Sequence, residues 1–335
     1  MAGLTLTVIT HKASSLNYGE SIGNVSVLKK ITLADNTQLT YASDKALKYE
    51  IRRHGRDRFG WRLLDEKLKE YIAKHTSKDT LDVDKFGEDL VKDYEEFDLF
   101  GGLFTKPAKE EDGKKKSLKL SKGDAVKRVS VVKTSYMFSI SPFKSDMDFM
   151  NNIDAYNRYI RHVEDRGDQA IVNSEQHTSH YIYTLTVDLD RVGVWETEEG
   201  KIKEVIDSQE KAKRVVELLE VIKTLSRQIR GRWENLSPVF VVGGVFSVKN
   251  PFFMDAVKVV EKEGKLILDI NALRDAIELV PESEEALVGV ASGHFHNEED
   301  IRTQLSAKGV AEVFESLKQK VKSVYGVLQD ESPKV

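Results

Sequence analysis

Lys45, Lys48, Arg52 and Arg53 crowd one short segment. Lys45 and Lys48 are spaced i, i+3, and Lys48 and Arg52 i, i+4. On a helix these positions fall on neighbouring turns of one side. Cations in such a line, close to a helix N-terminus, suit a sugar–phosphate backbone. Glu50 among them suits a solvated, self-compensating face equally well. Upstream, Ser14-Ser15-Leu16-Asn17-Tyr18-Gly19 is a run of small polar residues that closes an apolar stretch. Backbone N–H groups and hydroxyls in such a loop bind phosphate oxygens. Taken alone, a loop of this composition is more often an ordinary turn.

A second basic feature spans 114–128, with Lys114, Lys115, Lys116, Lys119, Lys122, Lys127 and Arg128. It lacks periodicity and reads as an arm or hairpin of the kind that reaches for DNA, although most lysine runs are solvated surface. Met137 and Phe138, followed by Met147, Phe149 and Met150, are apolar side chains of the type that wedge between bases. Local packing accounts as readily for any one of them. For metal chemistry, His177 and His180 stand near Glu175, and His294 and His296 follow Gly293. No HExxH, nucleophile elbow, Walker A or dinucleotide fingerprint is present. No metal and no cofactor are expected.

The elements that must carry these residues follow from periodicity. Leu4, Leu6 and Val8 alternate with Thr5, Thr7 and Ile9, which predicts a half-buried first strand running to about Leu16. Ser43 or Asp44 caps a helix that Gly55 stops. Residues 61–97 are helical and acidic, and Asp98-Leu99-Phe100-Gly101-Gly102-Leu103 is an apolar patch hinged by glycine. Val129–Ile140 and Tyr181–Val194 are strands, the second with Tyr181, Tyr183, Leu185, Val187 and Leu189 on one face. Ser208–Arg230 is the clearest helix, capped by Asp207 or Ser208. Val239–Val248 is a central strand kinked at Gly243-Gly244. Short strands at 265–270 and 287–291 and a helix over about 305–325 complete the chain. The fold class is α+β, a split βαβ or ferredoxin-like core with long excursions.

Composition bounds the classes. The chain has 335 residues, 40% hydrophobic and 32% charged, enough for one large domain with insertions or for two domains. It has no cysteine, which removes disulfides, zinc knuckles and thiol catalysis. No apolar run reaches membrane-spanning length, so no membrane partner is expected. The N-terminus enters a strand pattern without a basic leader, and the expected compartment is the cytoplasm. The net charge of −4 argues against a uniformly basic nucleic-acid binder, so any such role rests on clustering.

Three stretches together carry a resemblance: Thr10–Asn24, Tyr41–Gly55 and Asp98–Leu103. They resemble the CRISPR-associated Cascade backbone subunits, in the DevR-like branch found in type I-B systems. The resemblance implies a modified RNA-recognition (RRM-like) palm over 1–335. A finger-like helical and basic insertion would fall at 56–128, and a thumb-like insertion at 139–180. It implies a non-catalytic subunit whose copies stack as a helical oligomer along a guide RNA (crRNA), for target DNA recognition in antiviral defence. Ser14, Asn17, Ser43, Lys45, Lys48, Arg52 and Arg53 would then hold guide phosphates, and Met137 and Phe138 would supply the wedge at the base of the thumb. Lys114, Lys115, Lys116 and Lys119 would form the arm toward DNA. The implied partners are the crRNA, target DNA through the guide, further copies of the chain, and other Cascade subunits: a 5′-handle cap subunit, a large subunit, a small subunit and a guide-processing endonuclease. Contacts to phosphate and sugar suit a guide held without regard to its sequence. The alternative is a metal-dependent RNase of the same superfamily, for which Asp35 stands in the comparable loop, with the His- and Asp-rich stretch 162–180; no catalytic role is assigned to Asp35.

Overall fold

The computed structural model describes residues 2–64, 67–77, 80–105, 125–151, 159–160, 162 and 171–327. Its centre is an eight-stranded antiparallel sheet. The strands are β1 (Gly3–Thr10), β2 (Lys30–Thr32), β3 (Gln38–Ala42), β4 (Val132–Thr134), β5 (Met137–Ser139), β6 (Tyr181–Asp188), β7 (Pro238–Phe246) and β8 (Leu287–Val290). Their spatial order is β8-β7-β1-β6-β5-β3-β2, with β4 also on β6. The inner four, β7-β1-β6-β5, with helices α1 (Asp44–Phe59) and α5 (Ser208–Lys223) in the crossovers, reproduce the ferredoxin-like order expected from the sequence.

Leu4, Leu6 and Val8 of β1 lie opposite Val187, Leu185 and Tyr183 of β6. Together they form the principal core with Leu47 and Ile51 of α1, Val215, Leu218 and Ile222 of α5, and Val313, Phe314 and Leu317 of the last helix (Val310–Val324). The strand is not half-buried as its alternation suggests: all eight residues from Gly3 to Thr10 are buried. Thr5 and Thr7 face the opposite side, where Thr7 Oγ1 meets Thr184 Oγ1 at 2.8 Å. On that side Ile9, Phe240 and Val242 join a second core under the C-terminal third of the chain. A hydroxyl pair bonded to itself is buried at little cost, because each oxygen keeps a partner.

The helical stretch after α1 consists of α2 (Leu68–His75), α3 (Val83–Asp93) and α4 (Glu95–Phe100), closed by a hairpin of Gly102–Thr105 and Ala125–Arg128. It has its own core of Phe86, Leu90, Phe97, Val126 and Trp195. The excursion between β5 and β6 contributes strands Met147–Asn151 and Ile171–Glu175. These pair with Tyr18–Ile22 and Val25–Leu28 into a separate four-stranded sheet.

Several boundaries differ from the sequence reading. Helix α1 does not stop at Gly55 but runs to Phe59, with Gly60 in the left-handed conformation at its end. Gly55 is there for space: a Cβ would sit 2.0 Å from the Trp61 ring. Strand β7 is not kinked at Gly243-Gly244. It keeps unbroken register with β1 from Gly3 to Ile9, and a Cβ on Gly243 would lie 2.2 Å from the Thr5 carbonyl oxygen. Helix α5 ends at Lys223 rather than Arg230, because Ser226–Ile229 and Arg232–Asn235 form a hairpin.

Candidate nucleic-acid interface

Ser43 begins the site. Its extended backbone and its Oγ, which accepts the Ala46 N–H at 3.3 Å, cap α1, a contact worth about 1 kcal/mol. Asn17 lies against it: with its amide oxygen toward the helix, Asn17 accepts the Ser43 N–H at 3.1 Å. The loop before Asn17 is a pinned structure rather than a free turn. Ala13–Ser14 pairs with Thr178–Ser179. Ser15, at φ 54°, donates its N–H to the His177 carbonyl at 2.8 Å and its hydroxyl to Gln176 Oε1 at 2.9 Å. Ser14 Oγ meets Thr178 Oγ1 at 2.6 Å, and the Ser14 N–H donates to Glu234 at 2.9 Å. The first loop and the head of α1 are therefore one rigid unit.

Along α1 the cations divide into two kinds. Arg52 pairs with Glu96 at 2.7 Å, and Arg53 with Glu50 at 2.8 Å. Lys45 is exposed and Lys48 half-buried, and neither forms an ion pair among the described residues. Burial pulls the Lys48 ammonium below its usual range, and the nearby charges of Arg52 and Lys133 add to this, against Asp44. An amine held in this way, next to like charges, gains from any anion that approaches.

The sequence reading missed one element of this surface. The hairpin Ser226–Asn235 abuts both α1 and the first loop. His54 of α1 donates to the Ser226 carbonyl at 2.9 Å, Glu234 receives Ser14, and the Arg230 guanidinium lies 3.9 Å from the centre of the Tyr18 ring. Its signal was Gly231, the glycine of a two-residue turn between Ser226–Ile229 and Arg232–Asn235, but the apolar helical stripe that runs up to Leu225 masked it.

Met137 is 1% exposed and belongs to the principal core, so its side chain has no surface to offer as a wedge. Phe138, partly exposed, stands 6.0 Å from both Tyr41 and Tyr136, which stack on each other at 5.1 Å. This cluster borders a cleft of about 460 Å³ on the threonine face of the sheet, lined also by Thr7, Ile182 and Met254. Lys114, Lys115, Lys116 and Lys119 lie outside the described residues.

The potential metal ligands point to other partners. Glu175 pairs with Lys30 at 2.6 Å and accepts the Leu28 N–H at 2.7 Å. His177 contacts Thr40 Oγ1, and His180 the Thr10 carbonyl, each at 2.8 Å. No set of three residues able to hold a metal occurs among the described residues. Asp35 sits at an exposed turn, where the Thr37 N–H holds its carboxyl below the usual range. No helix among the described residues is long and apolar enough to cross a membrane.

None of the curated proteins matches the sequence. Solved structures share the fold, two of them as follows. A chain of a "CRISPR RNA-guided surveillance complex, pre-nicking" superposes with a TM-score of 0.56 at 14% identity, covering 97% of this chain and 100% of that one. A chain of a "CRISPR RNA-guided surveillance complex" gives 0.52 at 13%, covering 97% and 98%. Residues 5–266 match the family described as "CRISPR-associated negative auto-regulator DevR/Csa2", well over half of the sequence. The chain belongs to this CRISPR-associated DevR/Csa2 family.

Proposed function

We propose that this chain is a non-catalytic, guide-RNA-binding backbone subunit of a Cascade-type surveillance complex, copies of which stack along one RNA. The observation that carries the proposal is the division of cations on α1. Among the described residues Lys45 and Lys48 form no ion pair with a carboxylate, beside a helix N-terminus and a rigid polar loop, in a chain whose net charge is −4. Free cations placed against N–H groups and hydroxyls suit phosphate and sugar, and leave bases free to pair. Ser14, Asn17 and Ser43 supply the neutral contacts. Arg52 and Arg53, held by Glu96 and Glu50, shape the groove and add positive potential. In this reading the helical stretch within 56–128 is the finger and the excursion 139–180 the thumb, with Phe138 as the apolar group at its base. Target DNA is met through the guide, and the remaining faces meet neighbouring copies and other subunits.

The test is to purify the chain alone at moderate salt and record its absorbance at the nucleic-acid and protein maxima together with its size. RNA of mixed sequence in large assemblies that dissolve as salt rises is the expected result, because phosphate-dominated binding weakens steeply with salt. A nucleic-acid-free monomer that ignores added guide RNA would remove the proposal. Incubation of labelled RNA with a divalent metal is expected to leave it uncut; cleavage abolished by Asp35→Ala would favour the RNase reading instead.

A further inference from the structure

The chain has three tryptophans. Trp61 and Trp195 are 2% and 4% exposed, as large apolar rings usually are, whereas Trp233 is 65% exposed. It sits on the second strand of the hairpin Ser226–Asn235, opposite Gln228. The turn that presents it is strained. Both central residues have positive φ, Arg230 at 47° and Gly231 at 78°. The second position carries glycine, the residue such a turn favours, but the first carries arginine, where asparagine, aspartate or glycine is the usual choice. A non-glycine side chain in this conformation costs about 1 kcal/mol or more, and such strain persists where the surroundings hold it.

Arg230 spends that strain on position. Its guanidinium lies over Tyr18, and the residue is exposed with no ion pair among the described residues. Arg232 is 42% exposed at the side chain, and its ion pair with Glu234 is long, at 3.7 Å. The Arg53 guanidinium stands 5.7 Å from the Trp233 ring centre, so the hairpin continues the α1 row Lys45, Tyr49, Arg53. Those three positions repeat every four residues along one side of the helix and span about 12 Å. Tyr49 is itself 57% exposed. Of the acids in this region, Glu50 and Glu234 are largely buried and already bonded to Arg53 and to Ser14, and the more exposed Asp57 is shared by Arg53 and Arg56. The surface is therefore an aromatic platform with surplus positive charge, in a chain that is acidic overall. That charge favours a polyanion with flat, stackable groups over a protein partner.

We infer that the hairpin Ser226–Asn235 is a second single-stranded RNA contact: one nucleobase stacks on Trp233, and Arg230 and Arg232 hold its flanking phosphates. This rests on the guide-RNA reading and extends the binding track from the head of α1 to the hairpin tip. Stacking on an indole is indifferent to base identity, which a guide of arbitrary sequence requires.

The test uses the full chain stripped of nucleic acid and a fluorescein-labelled 12-nucleotide oligouridylate, with affinity read by anisotropy and stacking by intrinsic tryptophan emission. Trp233 is the only solvent-facing indole among the three, so a stacked base quenches its emission selectively. Expected are quenching on titration, about tenfold weaker binding by Trp233→Ala, and near-normal binding without quenching by Trp233→Phe. Arg230→Gly is expected to bind more weakly yet melt at an equal or higher temperature, because glycine removes the strain. If the oligonucleotide binds the wild type while Trp233→Ala binds equally well and emission is unchanged, the inference is overturned and the guide-RNA reading stands. If Trp233→Ala instead disrupts self-association of the RNA-free protein at unchanged RNA affinity, the hairpin is a protein contact and the inference again falls. If no variant, including wild type, binds at all, both fall together.

Discussion

Asp98 and Arg214 meet at 2.9 Å with both side chains almost entirely out of solvent. The second oxygen of Asp98 lies 2.5 Å from Arg128, and the Gly193 N–H donates to the same carboxylate at 2.9 Å. The guanidinium groups spend their other donors on carbonyls of Val91, Lys92, Asp98, Arg191 and Val194 and, from Arg214 Nε, on the Glu210 carboxylate at 3.0 Å. One carboxylate thus ties α4, the end of the Ala125–Arg128 strand and α5 together. Two buried guanidiniums share one buried carboxylate, so the arrangement holds only while every donor is satisfied.

Removal of that carboxylate leaves Arg128 buried beside carbonyls alone and Arg214 with only the partly exposed Glu210, at 3.0 Å. Asp98→Ala is expected to cost about 3–5 kcal/mol, the range for breaking a buried pair from one side. Denaturant unfolding followed by circular dichroism measures it. A midpoint within error of wild type would show that the network contributes nothing to stability.

The division of cations on α1 predicts a division of phenotypes. Lys48→Ala should weaken RNA binding and lower the slope of log affinity against log salt by about one, with an unchanged melting temperature. Arg52→Ala and Arg53→Ala should lower the melting temperature as well, because the first removes the cation from Glu96 and the second leaves the buried Glu50 with only the longer contact to Arg227, at 3.6 Å. Binding titrations at several salt concentrations, paired with thermal melts, separate the two. Equal behaviour of all three variants would contradict the division.

Gly55→Ala improves helix propensity by about 1 kcal/mol, yet it should destabilise the protein. The added methyl would meet the ring atoms of Trp61 at 2.0 Å, and overpacking of a closed site costs about 1–3 kcal/mol or more. Gly60→Ala has open space around it but a φ of 72°, and should cost about 1–2 kcal/mol through the backbone alone. Pairing each with Trp61→Phe in thermal melts distinguishes the mechanisms. The smaller ring should lessen the penalty at Gly55 and leave that at Gly60 unchanged.

His11, His177 and His180 are each held below the ordinary imidazole value of 6.5, chiefly by burial. Around His11 and His180 stand His294, Lys12 and Glu261; around His177 stand Thr40, the Pro142 backbone and Glu261. An unfolded chain regains the ordinary value, so as pH falls through about 6.5 it takes up protons that the folded chain refuses. Stability from these groups is complete above that pH and is lost below it. The melting temperature should therefore be level between pH 7 and 8 and decline from about pH 6.5 toward 5. The decline should be shallower in His11→Gln, which removes one of the three groups. A level profile down to pH 5 would show that these imidazoles titrate alike in both states.

By itself the sequence determined what repeats locally. The alternation of Leu4, Leu6 and Val8, the stripe of Val215, Leu218 and Ile222, and the Ser43 and Asp207 caps each follow from a period or a cap that neighbouring residues define. The antiparallel core order and the cationic side of α1 were legible for the same reason. What depended on residues distant in the chain was decided only by tertiary structure. Gly55 reads as a helix stop until Trp61 folds back over it. Thr5 and Thr7 read as a solvent face until the C-terminal third covers part of that side of the sheet. Met137 reads as a projecting wedge until its strand enters the core. Arg52 and Arg53 read as free cations until Glu96 and Glu50 claim them, whereas no carboxylate among the described residues claims Lys45 or Lys48. The hairpin that carries Trp233 is joined to the first loop across 220 residues by the Ser14–Glu234 bond, a separation over which local periodicity holds no information.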